Sequence, residues 1–95
     1  MIRISIVQPD LLWEDKPGNF RKLEELLSEA NNKADIVVLP EMFTTGFSVN
    51  STTLAEPFRS VTFRWMSAMA EKGGFGLCGS YIVRENEHFY NRWVF

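Results

Sequence analysis

Ninety-five residues with a net charge of −2 and scattered lysines and arginines make at most one small domain, with no basic run to track a phosphate backbone, so nucleic-acid binding is not expected. A hydrophobic content of 45%, with 14% of the chain aromatic, excludes a disordered chain and leaves rings that a small domain cannot all cover by itself. No apolar run reaches membrane-span length, the start is too short and alternating for a secretory signal, and one cysteine makes no internal disulfide, so a reducing cytoplasm is expected.

Ile2, Ile4 and Ile6 alternate with Arg3 and Ser5, predicting a first strand closed by Pro9 and Asp10. Asp15 to Asn19 supply helix-start chemistry: capping side chains, with Pro17 tolerated in a first turn. Phe20, Leu23, Leu26, Leu27 and Ala30 then fall on one helical face, and Arg21, Lys22, Glu24, Glu25 and Glu29 on the other. Asp35 to Leu39 is an apolar run behind one acid. It suits a strand buried on both faces, and the strand–helix–strand order suits a parallel unit. Pro40 ends that strand because it has no N–H to donate.

Residues from Glu41 to about Pro57 read as a loop, rich in Thr, Ser, Asn and Gly. Val61, Trp65, Met66 and Met69 mark a second amphipathic helix, stopped by Gly73 and Gly74. Leu77 to Val83 predicts a strand, Arg84 to His88 a polar turn, and Phe89 to Phe95 the returning strand of a hairpin. The chain stops inside that strand, where a natural domain would leave pairing groups and apolar surface unfinished, so a domain cut on its C-terminal side is expected.

Glu41 stands out by address. It follows a buried strand directly, at the carboxyl edge of a parallel sheet, where ligands gather, and a carboxylate at the rim of an apolar core suits proton transfer. The alternatives are a solvated loop carboxylate or a helix cap. Cys78, in the strand Phe75–Gly76–Leu77–Cys78–Gly79–Ser80, reads as a small buried hydrophobe and not as a nucleophile. His88 sits alone in a charged turn, so no metal site is expected. Gly73 to Gly76 follow a helix instead of opening one, a poor phosphate cradle.

Val37-Val38-Leu39-Pro40-Glu41-Met42-Phe43-Thr44-Thr45-Gly46-Phe47-Ser48 resembles the glutamate motif of the nitrilase superfamily of carbon–nitrogen hydrolases. Ile4 to Pro9 resemble that family's first strand and glutamine, Asn19 to Leu27 its first helix, and Gly79-Ser80 with Tyr90-Asn91-Arg92 its later hairpin. The residues after the glutamate are most similar to the bacterial ω-amidase-like branch.

The resemblance implies an α/β fold, the N-terminal half of the family's α-β-β-α sandwich, with residues 1–95 forming a partial domain truncated at the C-terminus. It implies a Glu–Lys–Cys triad that hydrolyses a small carboxamide, an ω-amide of a dicarboxylic 2-oxo acid, to acid and ammonia through a cysteine thioester. Only the glutamate maps onto this chain, as Glu41; the lysine and cysteine would lie beyond Phe95. Lys16, Lys22, Lys33 and Lys72 fall in helical or turn contexts and replace neither. On the family's pattern Phe43 is a candidate substrate-binding wall, with a core position the alternative, and Tyr90-Asn91 is structural support near the site. No metal or organic cofactor is implied, and a homodimer through the outer helices is. The rival reading is a non-catalytic α/β interaction module, or a truncated product in which Glu41 is vestigial.

Overall fold

The structure, a computed structural model, describes all 95 residues. Its elements are β1 (Ile4–Ile6), α1 (Lys16–Ser28), β2 (Ile36–Val38), α2 (Ser51–Leu54), β3 (Glu56–Pro57), α3 (Val61–Gly73), β4 (Gly76–Glu85) and β5 (His88–Val94). Parallel pairing joins Ile4 to Ile36 and Ile36 to Gly76, placing β2 between β1 and β4. Farther along β4, β3 pairs in parallel with Val83 and Arg84, while β5 runs antiparallel along the rest, from Gly79–Val94 to Glu85–His88. The result is a mixed α/β sheet with β4 as its long shared strand.

Local chemistry accounts for the helices. Asp15 caps α1: its Oδ1 accepts the Gly18 N–H at 3.0 Å, and Pro17 occupies the first turn, where no N–H is needed. α3 ends because Gly74 takes the left-handed conformation (φ 68°) that an L side chain resists. Glu56 holds the start of α3. Its carboxylate accepts the Thr62 N–H at 2.7 Å and the Thr62 hydroxyl at 2.9 Å. Lys16 Nζ completes this buried acid's shell at 2.8 Å, tying the first turn of α1 to the strand–helix junction before α3.

Alternation along the strands separates two faces. Val37, Leu39, Leu77, Tyr81 and Val83 point beneath the helices and join Leu23, Leu27 and Met66 in one buried cluster. Each such aliphatic side chain contributes about 1.5–3 kcal/mol relative to exposure. Rings run through this layer: Phe20 stacks on Trp65 at 4.8 Å between centroids, Trp65 meets Phe43 at 5.8 Å, and Phe43 meets Tyr81 edge-on at 6.4 Å. Burial, with the Glu56 carboxylate nearby, pushes the Tyr81 hydroxyl up to about 12, and that hydroxyl donates to the Phe58 carbonyl. The opposite face of the sheet has no helix on it and carries exposed Ile4, Ile6 and Trp93, the last 62% accessible.

The expected loop from Glu41 to Pro57 is irregular only as far as Asn50. Ser51–Leu54 makes one helical turn, and Glu56–Pro57 pairs with β4. The two-residue strand is too short for alternation to reveal, and its place follows from the buried Glu56 contacts. No helix is long and apolar enough to cross a membrane.

Candidate active site

β2 delivers its chain to the carboxyl edge of the sheet, and the Leu39 N–H donates to the Cys78 carbonyl at 2.7 Å as the last rung beside β4. Pro40 follows, then Glu41, and the backbone turns at once. Met42 has a φ of 50°, a left-handed conformation that costs a non-glycine residue about 1–3 kcal/mol and persists where neighbours enforce it. The enforcing residue is Ser80. Its Oγ accepts the Met42 N–H at 2.9 Å and its carbonyl accepts the Phe43 N–H at 3.1 Å.

The Glu41 side chain emerges on the sheet face that the helices leave bare. There its Oε1 accepts a hydrogen bond from Asn91 Nδ2 on β5 at 2.9 Å. Leu39, Glu41, Gly79, Ser80, Asn91 and Trp93 line a cleft of about 380 Å³, a volume suited to a small ligand. Glu41 itself is exposed in this chain.

Phe43 is not on the wall of that cleft. Its ring is fully buried on the helix side, and of the two positions the sequence left open it occupies the core. The physical reason is Gly79: a Cβ there would lie 2.8 Å from Phe43 Cδ1 and 3.0 Å from Leu39 Cβ, so the missing side chain is what lets the ring slide beneath the sheet. Phe43 thereby anchors the loop that begins at Glu41. Cys78 is buried, lies outside the cleft lining, and has its thiol pushed above the ordinary range by desolvation. No three His, Cys, Asp or Glu side chains converge anywhere in the chain.

Two contributors were not singled out from sequence. Ser80 belongs to the stretch that resembles the family's hairpin, but nothing in the sequence pointed to its grip on the Met42 and Phe43 backbone. Asn19 looks like helix-start chemistry, yet it is fully buried one turn inside α1. Its Oδ1 accepts the Leu12 N–H at 2.8 Å, and its Nδ2 donates to the Leu12 carbonyl at 2.9 Å and the Thr44 carbonyl at 2.8 Å. It thus staples the loop after β1 to the loop after Glu41. The Glu14 N–H adds a 2.9 Å bond to the Thr45 carbonyl, and Ser48 Oγ donates to Glu14 Oε2 at 2.5 Å.

Known proteins share this fold. XC1258 from Xanthomonas campestris, a CN-hydrolase superfamily protein with an arsenic adduct in its active site, superposes with a TM-score of 0.92 at 35% identity, over 97% of this chain and 35% of that one. Omega-amidase YafV of Escherichia coli K12 is 30% identical over 93 residues, 98% of this chain and 36% of the relative. 2-Oxoglutaramate amidase of Bacillus subtilis is 33% identical over 90 residues, 93% of this chain and 35% of the relative. The chain therefore spans about a third of the length of the relatives it matches. The family model described as carbon–nitrogen hydrolase matches residues 3–95, and the chain belongs to that family.

Proposed function

We propose that this chain supplies the general base of an amide-hydrolysing site, with Glu41 as the base, and that residues outside these 95 supply the family's cysteine and lysine. The observation that supports this most directly is the placement of Glu41 at the carboxyl edge of β2, in a cleft on the open sheet face and held by Asn91. The relatives named omega-amidase and 2-oxoglutaramate amidase favour a small ω-amide of a dicarboxylic 2-oxo acid as the substrate class.

In this reading Glu41 takes the thiol proton and the thiolate sulfur bonds to the amide carbonyl carbon, placing negative charge on its oxygen beside the lysine. Collapse breaks the carbon–nitrogen bond, and the proton held by Glu41 leaves with the nitrogen as ammonia. Glu41 then takes a proton from water, whose oxygen attacks the thioester. Collapse of that adduct breaks the carbon–sulfur bond and forms the acid product, and the proton held by Glu41 returns to the sulfur, restoring the thiol and the base. We include in the proposal a cytoplasmic setting and, from the family's self-association, a homodimer.

The test uses the complete protein, meaning residues 1–95 together with the remaining length that the relatives possess. Glu41→Gln keeps shape and hydrogen bonding but not basicity, so kcat should fall by about two to four orders of magnitude with the melting temperature unchanged. Glu41→Asp should fall between the two, since its carboxylate is withdrawn by one methylene. The 95 residues alone should release no ammonia. Near-normal turnover in folded Glu41→Gln would remove the base assignment.

A further inference from the structure

We propose that Asn91 is a positioning residue for Glu41, fixing the carboxylate through one oxygen and leaving the other free to work. The inference rests on the reading of Glu41 as the base and adds to it the device that aims the base. A glutamate at an exposed loop start has three side-chain torsions to fix, and a base that wanders by an ångström loses much of its rate. Asn91 Nδ2 donates to Oε1 at 2.9 Å, while Oε2 has no hydrogen-bond partner in the chain. The donor stands on a regular strand, with Asn91 paired to Ile82 of β4, so it is held by the sheet and not by a loop.

The same strand pair sets the other end of the glutamate. Ser80, two residues before Ile82, grips Met42 and Phe43, so the backbone after Glu41 and the tip of its side chain are both referred to the β4–β5 hairpin. The chemical type of the donor also fits. A cation at this distance would favour the ionised carboxylate strongly and blunt it as a base; a neutral amide orients it with far less of that effect. Arg92 is the adjacent residue, and alternation turns it to the opposite face. There its guanidinium lies 5.0 Å from the Phe58 ring centroid and 5.4 Å from that of Tyr90, with Nη2 bonded to Glu85. The pleat thus presents the amide to Glu41 and withholds the charge.

The experiment compares Asn91→Leu, Asn91→Asp and Glu41→Gln in the complete protein, reading kcat, KM, pH–rate profile and melting temperature. Asn91→Leu removes the donor at nearly constant volume. It should lower kcat by about 10- to 100-fold with KM and melting temperature little changed, because the pair is exposed. Asn91→Asp should lower kcat and also move the acid limb of the pH–rate profile upward, since two carboxylates at this spacing share a proton. A residue that does not touch the base would not move that limb, and the kcat loss in Asn91→Leu at unchanged KM reports the positioning itself. Normal kcat in Asn91→Leu, or an Asn91→Asp profile superimposing on the parent's, overturns the inference. If Asn91→Leu does not fold, the Asn91→Asp profile decides alone. Should Glu41→Gln lose turnover while the Asn91 variants do not, only the positioning role falls. Normal turnover in Glu41→Gln removes the base reading and this inference together.

Discussion

Asn19→Ala should be among the most destabilising single substitutions in the chain, although it removes a polar side chain from a helix. The amide is fully buried and makes three hydrogen bonds, two to Leu12 and one to the Thr44 carbonyl. At about 0.5–1.5 kcal/mol net for each, with the Thr44 carbonyl losing this partner in a buried setting, the expected loss is about 2–4 kcal/mol. For a domain of this size that corresponds to a fall of roughly 10–25 °C in melting temperature. Asn19→Asp should be at least as damaging. It keeps the acceptor for the Leu12 N–H but turns a carboxylate oxygen toward two carbonyls that need a donor. Urea titration followed by far-UV circular dichroism measures the loss, with exposed Glu25→Ala as a control expected within about 0.5 kcal/mol of the parent. Hydrogen exchange adds a local readout: the Glu14 N–H bonded to Thr45 should lose protection first. A loss below about 1 kcal/mol for Asn19→Ala, or equal stability of Asn19→Ala and Asn19→Asp with the parent, would refute the staple.

Acid should release β1 first. Asp35 accepts the Arg3 N–H at 2.7 Å, a bond that holds its carboxyl below the ordinary range, with the Arg3 guanidinium 3.7 Å away adding to the effect. Because the folded value is depressed, this contribution is present above the ordinary carboxylate value and lost as pH falls through the folded one; amide exchange in Ile4–Ile6 should accelerate over that window, and Asp35→Asn should abolish the pH dependence. Cys78 should resist alkylation in the folded chain and react on addition of urea, and Cys78→Ser should leave turnover of the complete protein largely intact; loss of turnover in a folded Cys78→Ser protein would reinstate it as a nucleophile. The 95 residues alone should self-associate or bind a hydrophobic dye through the bare sheet face carrying Ile4, Ile6 and Trp93, and sedimentation as a compact monomer without dye binding would count against an open face.

Much of the architecture was legible along the chain because it rests on local periodicity. The helical spacing of Leu23 and Leu27, the apolar run of Ile36–Leu39, the stop at Gly74 and the alternation into a β4–β5 hairpin each express a preference of a few neighbouring residues. The address of Glu41 was legible for the same reason: a proline ending a buried strand places the next side chain at the sheet edge. What tertiary structure alone decided is which distant groups meet. Phe43 lies in the core and not on the cleft because Gly79, 36 positions later, leaves room for its ring. Asn19 faces Thr44, and Asn91 faces Glu41, across separations of 25 and 50 residues. A side-chain amide has no periodic signature, since it serves a cap, a solvated surface or a buried bond equally well. Its role is set by the carbonyl or carboxylate that the fold brings within about 3 Å, and that partner is specified only when the strands have found their register.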